Sequence, residues 1–206
     1  MPTETVGVLL AGGRARRLGG GDKCLLTLAG RPMLSRIIER VGPQVATVVL
    51  NANGDPARFS AFGLPVIADV VDGQAGPLAG VLSGMLWAKA NVPASIWLVS
   101  IATDVPFVPL DLVARLRAAA ERDGAPIACA ASNRRTHPVM ALWSLSLADA
   151  LRHALIEEGV RKVDAWTARY RVATVEFTAD PVDPFFNVNS PEDLDEAQRL
   201  IESGSE

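Results

Sequence analysis

Val6-Gly7-Val8-Leu9-Leu10-Ala11 runs straight into Gly12-Gly13-Arg14-Ala15-Arg16-Arg17-Leu18-Gly19-Gly20-Gly21-Asp22-Lys23. The first six residues form a short, unbroken apolar run, which reads as a buried strand. Glycines let the following backbone bend tightly and approach a ligand closely. The amides freed in such a loop make an anion-binding concavity. Arg14, Arg16, Arg17 and Lys23 stand against one acid, Asp22, in a chain whose net charge is −3. A basic, glycine-rich loop in an acidic chain points to a polyphosphate; solvated arginines on a surface loop are the plainer reading. The loop is not a Walker A sequence, because Lys23 follows Asp22 and precedes Cys24. The dinucleotide fingerprint G-x-G-x-x-G is absent from this turn as well.

The rest of the composition narrows the function. The chain has 206 residues, 49% hydrophobic and 21% charged, enough apolar material for a sizeable core and too little charge for disorder. No composition break marks a boundary, so 1–206 reads as one domain. The acidic balance argues against nucleic-acid binding. Cys24 and Cys129 lack C-x-x-C spacing and cannot make a four-ligand metal site by themselves. A reduced, cytoplasmic chain is expected. The N-terminus lacks a basic leader region, and no apolar stretch is long enough to span a membrane. Lys23 beside Cys24 would lower the thiol pKa, whereas a buried, neutral cysteine is the simpler expectation.

Strands and helices alternate along the chain. A helix is expected from Pro32, with Met33, Leu34, Ile37, Ile38 and Val41 on one face and Gly42-Pro43 at its end. Strands follow at Thr47–Leu50 and Val66–Ala68, then a helix at Leu78–Ala90 and a buried strand at Ile96–Val99. Next come a helix at Leu110–Asp123, strands at Ile127–Ala131 and Val139–Trp143, and a helical stretch at Leu145–Tyr170 broken at Gly159. Val172–Phe177 is a strand, and Ser190-Pro191-Glu192-Asp193 opens the last helix with a capping-box pattern. Such alternation predicts an α/β fold: an open, mostly parallel sheet with helices on both faces.

Ligands of such sheets bind beyond the carboxyl ends of the strands. Polar residues just after apolar runs are therefore the candidates. Asp104 is either a turn aspartate or a carboxylate for Mg2+, which takes one or two protein carboxylates plus phosphate oxygens and water. Lys23 can neutralise a phosphate as charge builds in a transition state. Asn51 and Asp69 can bond a base or ribose, or simply form turns. Gly76 and Gly80 flank a helix start, which favours anions or polar base edges. Asn187 and Asn189 precede the last helix and fit either a helix entry or a substrate contact. His137 fits a proton-transfer role or, more simply, a structural one. His153 lies on a helical pattern and is expected at the surface.

Together these residues resemble the molybdenum cofactor guanylyltransferase family. The match runs from Leu9-Leu10-Ala11-Gly12-Gly13 through Arg17, Gly19 and Asp22-Lys23. It continues through Asn51-Ala52-Asn53, Val66-Ile67-Ala68-Asp69, Gly76-Pro77-Leu78-Ala79-Gly80, Thr103-Asp104-Val105-Pro106, His137-Pro138 and Phe186-Asn187-Val188-Asn189-Ser190-Pro191-Glu192. The resemblance implies a Rossmann-like nucleotidyltransferase domain in the cytoplasm. Its reaction would join the GMP part of GTP to molybdopterin, or to the molybdenum-loaded form, releasing pyrophosphate with Mg2+ as cofactor. It implies that Leu10, Ala11, Gly12, Gly13, Lys23, Asn51, Asp69 and Asp104 bind GTP and that Asp104 also binds the metal. Arg17 and Lys23 would act on the phosphates, and Asn187 and Asn189 would face molybdopterin. Molybdenum insertion proteins and molybdoenzyme chaperones are the implied protein partners; neither nucleic acid nor membrane is. The chain departs from the family at Ala15 or Arg16, Leu18 and Ala102, which leaves the charged positions intact. A cytidylyltransferase for the same cofactor, a sugar-phosphate nucleotidyltransferase and a nucleotide-binding regulatory module remain as alternatives.

Overall fold

A computed structural model describes residues 4–13, 20–71 and 76–204. Arg17 and the other loop arginines lie outside the described residues. The strands are β1 (Thr5–Leu10), β2 (Thr27–Leu28), β3 (Arg31–Pro32), β4 (Thr47–Asn51), β5 (Val66–Ile67), β6 (Trp97–Ala102), β7 (Ile127–Ser132), β8 (Arg135–Ser144) and β9 (Val172–Glu176). The helices are α1 (Met33–Val41), α2 (Pro77–Asn91), α3 (Leu112–Asp123), α4 (Ala148–Ile156), α5 (Val163–Thr167) and α6 (Pro191–Glu202). Seven strands form one sheet in the order β5-β4-β1-β6-β8-β7-β9, and β2 and β3 pair as a separate ribbon. Every neighbouring pair is parallel except those that β8 makes with β6 and β7. The expected mostly parallel α/β sheet is present.

The helices cover both faces. Met33, Leu34, Ile37 and Val41 of α1, Leu112 and Leu116 of α3 and Ala197 of α6 pack on one face, against Leu9, Leu50, Val99 and Leu142. Leu78, Leu82 and Met85 of α2, Leu151 and Leu155 of α4 and Trp166 of α5 pack on the other, against Val6, Val8, Leu98 and Trp143. Helix α2 lies close on β1 because Gly84 has no side chain there: a Cβ would fall 2.9 Å from that of Val8. Helix α3 ends where Gly124 takes a left-handed φ of 58°, a conformation that glycine adopts without strain. Ser190 and Asp193 complete the capping box of α6.

The sequence placed a strand at Val139–Trp143, yet β8 begins at Arg135. Pro138 falls inside it, opposite a register shift between Cys129 and Ala130 of β7, and a bulge is where a sheet tolerates proline. The turn joining β7 to β8 has only Asn133 and Arg134 between paired residues, both with positive φ. Two such residues match the right-handed twist of a tight hairpin. The antiparallel strand β8 is thereby inserted between β6 and β7.

Strand order reverses at β1. The chain first builds outward through β4 and β5, then returns to place β6 on the other side of β1. A crevice opens beyond the carboxyl ends of the strands at such a switch point.

Candidate functional site

Leu10, Ala11, Gly12 and Gly13 leave the end of β1, and Ala102, Thr103 and Asp104 leave the end of β6. Both sets line a cleft of about 1090 Å³, joined by Lys23, Asn51, Asp69, Gly76 and Pro77. Ligand sites typically occupy roughly 300–1,000 Å³, so this one has room for a ligand of nucleotide size or larger. The two strand ends are tied together, because the Thr103 hydroxyl donates to the Leu10 carbonyl at 2.9 Å. The glycine loop closes on itself where the Lys23 amide donates to the Gly13 carbonyl at 3.2 Å. Among the described residues, nothing lies within 4 Å of where a Cβ would stand at Gly12 or Gly13.

Lys23 heads a short 3-10 turn and is buried. Its Nζ donates to Asp104 Oδ2 at 2.8 Å and to Asn189 Oδ1 at 2.5 Å. The two side chains of the ion pair are 10% and 27% exposed, so the carboxylate is the more open partner. Asp104 Oδ1 has no hydrogen-bond partner among the described residues. Asn189 therefore reaches the centre of the site through Lys23. The segment bearing Asn189 is fixed there because the Val188 amide donates to the Asp104 carbonyl at 2.9 Å. Asn187 turns elsewhere, donating to the carbonyl of Phe185 at 3.1 Å.

On the other flank, Asn51 at the end of β4 donates to Asp69 Oδ1 at 3.0 Å, and Asn53 donates to Asp69 Oδ2 at 2.7 Å. Asn53 in turn accepts from the Asp69 amide at 2.9 Å. Asp69 is thus held rigidly, with lone pairs to spare on a carboxylate that can accept about four bonds. Gly80 does not line the cleft. A Cβ at Gly80 would overlap the side-chain oxygen of Asn51 and come within 2.6 Å of Leu10. The glycine lets helix α2 pass behind Asn51. Gly76, with φ 71°, turns the chain into α2 at the cleft wall.

His137 stands apart from the phosphate side. Its Nε2 is 2.8 Å from Ser132 Oγ, which donates its single hydrogen to Asp183 Oδ1 at 2.8 Å. Ser132 can then only accept, so the proton sits on His137 Nε2. The ring packs on Phe185 with centroids 4.5 Å apart. Burial holds this imidazole below its ordinary value of 6.5, with Asp183 opposing the shift. Those bonds give the structural reading of His137. Burial likewise pushes the Cys24 thiol up to about 12, despite the neighbouring lysine, so the thiol is neutral.

The cleft also holds residues to which the sequence assigns no role, among them Thr103 and Asn53, which lie inside the motifs above, and Arg58. The signal for Arg58 is weak: one basic residue on a short helix beyond an Asp-Pro turn.

Among the described residues, no three His, Cys, Asp or Glu side chains gather as a metal cluster. A hard cation needs only one or two protein carboxylates when substrate oxygens and water complete its shell, and Asp104 Oδ1, without a hydrogen-bond partner among the described residues, could be such a ligand.

A glycine turn after the first strand, facing a lysine–carboxylate pair at the switch point, defines a nucleotide-binding α/β protein. Comparison with known proteins places it further. Residues 7–172 match the MobA-like NTP transferase domain. The chain is 56% identical over 196 residues to the molybdenum cofactor guanylyltransferase of Rhodopseudomonas palustris (strain BisB5), covering 95% of this chain and 93% of that one. It is 54% identical over 198 residues to the enzyme of the same name from Bradyrhizobium sp. (strain ORS 278), covering 96% and 93%. The crystal structure of molybdopterin-guanine dinucleotide biosynthesis protein A from Archaeoglobus fulgidus shares the fold. Its TM-score is 0.74 at 23% identity, over 96% of this chain and 99% of that one. The chain belongs to the MobA-like NTP transferase family, among the molybdenum cofactor guanylyltransferases, and is a nucleotidyltransferase.

Proposed function

We propose that the chain transfers the GMP part of GTP to the terminal phosphate of molybdopterin, or of its molybdenum-loaded form. Pyrophosphate leaves, and molybdopterin guanine dinucleotide is the product. The observation that carries the residue assignment is the Lys23–Asp104 pair at the mouth of the switch-point crevice.

An oxygen of the acceptor phosphate attacks the α-phosphorus of GTP in line. A new P–O bond forms as the bond to the β-phosphate breaks, and the electron pair leaves with pyrophosphate. The attacking oxygen is already ionised, so no general base is required. Positioning and electrostatics then carry the rate. The amides of Gly12 and Gly13 border the phosphates, the Ala11 amide being held by the Asn51 carbonyl at 2.9 Å, and Arg17 adds charge from the glycine loop. Lys23 neutralises charge that builds on the phosphoryl oxygens. Asp104 would hold Mg2+, whose chemistry when bound is to neutralise and orient phosphate oxygens. Asn51 and Asp69 face the nucleoside; the Asp69 carboxylate accepts from the N–H groups of guanine. Asn189 holds Lys23 on the acceptor side, whereas the Asn187 side chain is taken by the Phe185 carbonyl and serves the local turn.

The working unit is one nucleotidyltransferase domain over 1–206. No helix among the described residues is long and apolar enough to cross a membrane. A cytoplasmic site of action suits that finding and the two free cysteines. Molybdenum insertion proteins and molybdoenzyme chaperones would deliver substrate and receive product.

The test is pyrophosphate release with GTP, CTP or ATP, each with molybdopterin or its molybdenum-loaded form. Release with GTP alone, plus a dinucleotide product by mass spectrometry, is the expected result. Equal use of CTP would move the chain to the cytidylyltransferases. No release with any acceptor would make it a regulatory module.

A further inference from the structure

Arg58 lines the cleft, and each of its three guanidinium nitrogens donates to a protein group. It sits on the 3-10 helix Pro56–Phe62, whose first turn is capped by Asp55 accepting from the Ala57 amide at 2.9 Å. Arg58 Nε donates to Asp22 Oδ2 at 2.6 Å, and Nη2 donates to the carbonyl of Asn53, also at 2.6 Å. Nη1 donates to the carbonyl of Asp55. The guanidinium carbon lies 4.6 Å from the ring centre of Phe59, which is itself buried. A planar fork with five donors can hold several acceptors in one fixed geometry, which an ammonium cannot.

What those acceptors belong to matters more than their number. Asp22 immediately precedes Lys23 at the returning end of the glycine loop. Asn53 holds Asp69 through two hydrogen bonds. The guanidinium is therefore the bridge in a chain of contacts, Asp22–Arg58–Asn53–Asp69. That chain runs from the phosphate side of the cleft to the nucleoside side.

We infer that Arg58 is a positioning residue that sets the spacing between the phosphate and base subsites. This inference rests on the nucleotide site proposed above. Its consequence is specific. A ligand that spans both subsites gains because its second half binds intramolecularly, and the gain depends on the subsites being correctly spaced. Loss of Arg58 disturbs the spacing and leaves each subsite's own groups in place. Ligands that occupy one subsite do not sense the change.

The experiment compares three ligands by calorimetry or ligand-detected NMR with Mg2+ present: GTP, guanosine and inorganic triphosphate. The proteins are the native chain, Arg58→Ala, Arg58→Lys and Asp22→Asn, each first checked for a native circular dichroism spectrum and a cooperative melt. Arg58→Ala is expected to weaken GTP roughly tenfold or more while leaving guanosine and triphosphate as they were. Arg58→Lys is expected to fail to restore GTP binding, and Asp22→Asn to weaken GTP without weakening either fragment. Weakening of triphosphate together with GTP in Arg58→Ala, with guanosine unchanged, would overturn the inference, because Arg58 would then be a direct phosphate ligand. Equal weakening of all three ligands, or unchanged GTP binding, would also overturn it. Should the native protein bind GTP no more tightly than either fragment, the proposed nucleotide site itself fails and the inference falls with it.

Discussion

The two flanks of the cleft use similar side chains to opposite ends. On the flank of β4 and β5, Asn51, Asn53 and Asp69 bond to one another but keep capacity facing the cleft, which Asn51, Asn53 and Asp69 all line. On the flank of β7 and β8, Ser132, His137 and Asp183 are equally well bonded, yet none of them lines the cleft. Asp183 also takes the Phe185 amide at 2.9 Å and the Asn133 side chain at 3.1 Å. The first network presents a rigid carboxylate to a ligand. The second fastens the β7–β8 turn to the segment that carries Val188 and Asn189. A hydrogen-bonded polar cluster is thus not itself a sign of a site; its access to the cleft decides.

Between the flanks stand the two charged residues on which the comparison turns. Asp104→Asn keeps the shape and removes the charge that would hold the cation. Turnover should fall at least ~100-fold in a folded protein, measured by pyrophosphate release. Near-normal turnover at ordinary Mg2+ would take the metal away from Asp104. Lys23→Ala should reduce turnover about tenfold or more, with a smaller change in the KM for GTP, if the lysine acts on transition-state charge. A change confined to KM would move Lys23 to ground-state binding.

Gly80→Ala probes the nucleoside flank from behind, because the added methyl must displace Asn51 or Leu10. The KM for GTP should rise several-fold, and stability should fall by about 1–3 kcal/mol, as for overpacked cores. An unchanged KM would show that Asn51 does not touch the nucleotide. Gly12→Ala is milder, since a methyl there meets no atom of the described residues and Gly12 lines the cleft. Its expected effect is a partial loss of the preference for GTP over CTP, read from the ratio of kcat/KM values. An undiminished ratio would place the purine elsewhere. Asp183→Ala tests the opposite flank and should leave GTP affinity alone. It should lower the melting temperature and raise the KM for molybdopterin. Weaker GTP binding in that variant would erase the distinction between the flanks.

The fold was legible wherever local pattern and tertiary context agreed. The β1 run, the stripe on α1 and the capping box of α6 all appeared as expected. Strand β8 was only half read, because Pro138 argues locally against a strand and its bulge arises from pairing with β7. Its orientation was hidden too, since Asn133-Arg134 lacks the glycine that usually marks a two-residue hairpin. In the site, position after a strand was enough to find Asn51, Asp69 and Asp104. Lys23 was found from the loop's charge, but its bond to Asn189 joins residues far apart in sequence and needs the fold. Arg58 was invisible for the same reason: its partners gather only when the glycine loop returns beside β4. Arg17, expected at the phosphates, lies outside the described residues.

The most direct test of where the nucleotide binds is hydrogen exchange of the native protein, with and without GTP and Mg2+. Protection should concentrate in residues 10–13, 51–54 and 67–71, leaving 132–137 unchanged. Protection confined to 132–139 and 183–189 would contradict the assignment of the nucleotide to the β4 and β5 flank.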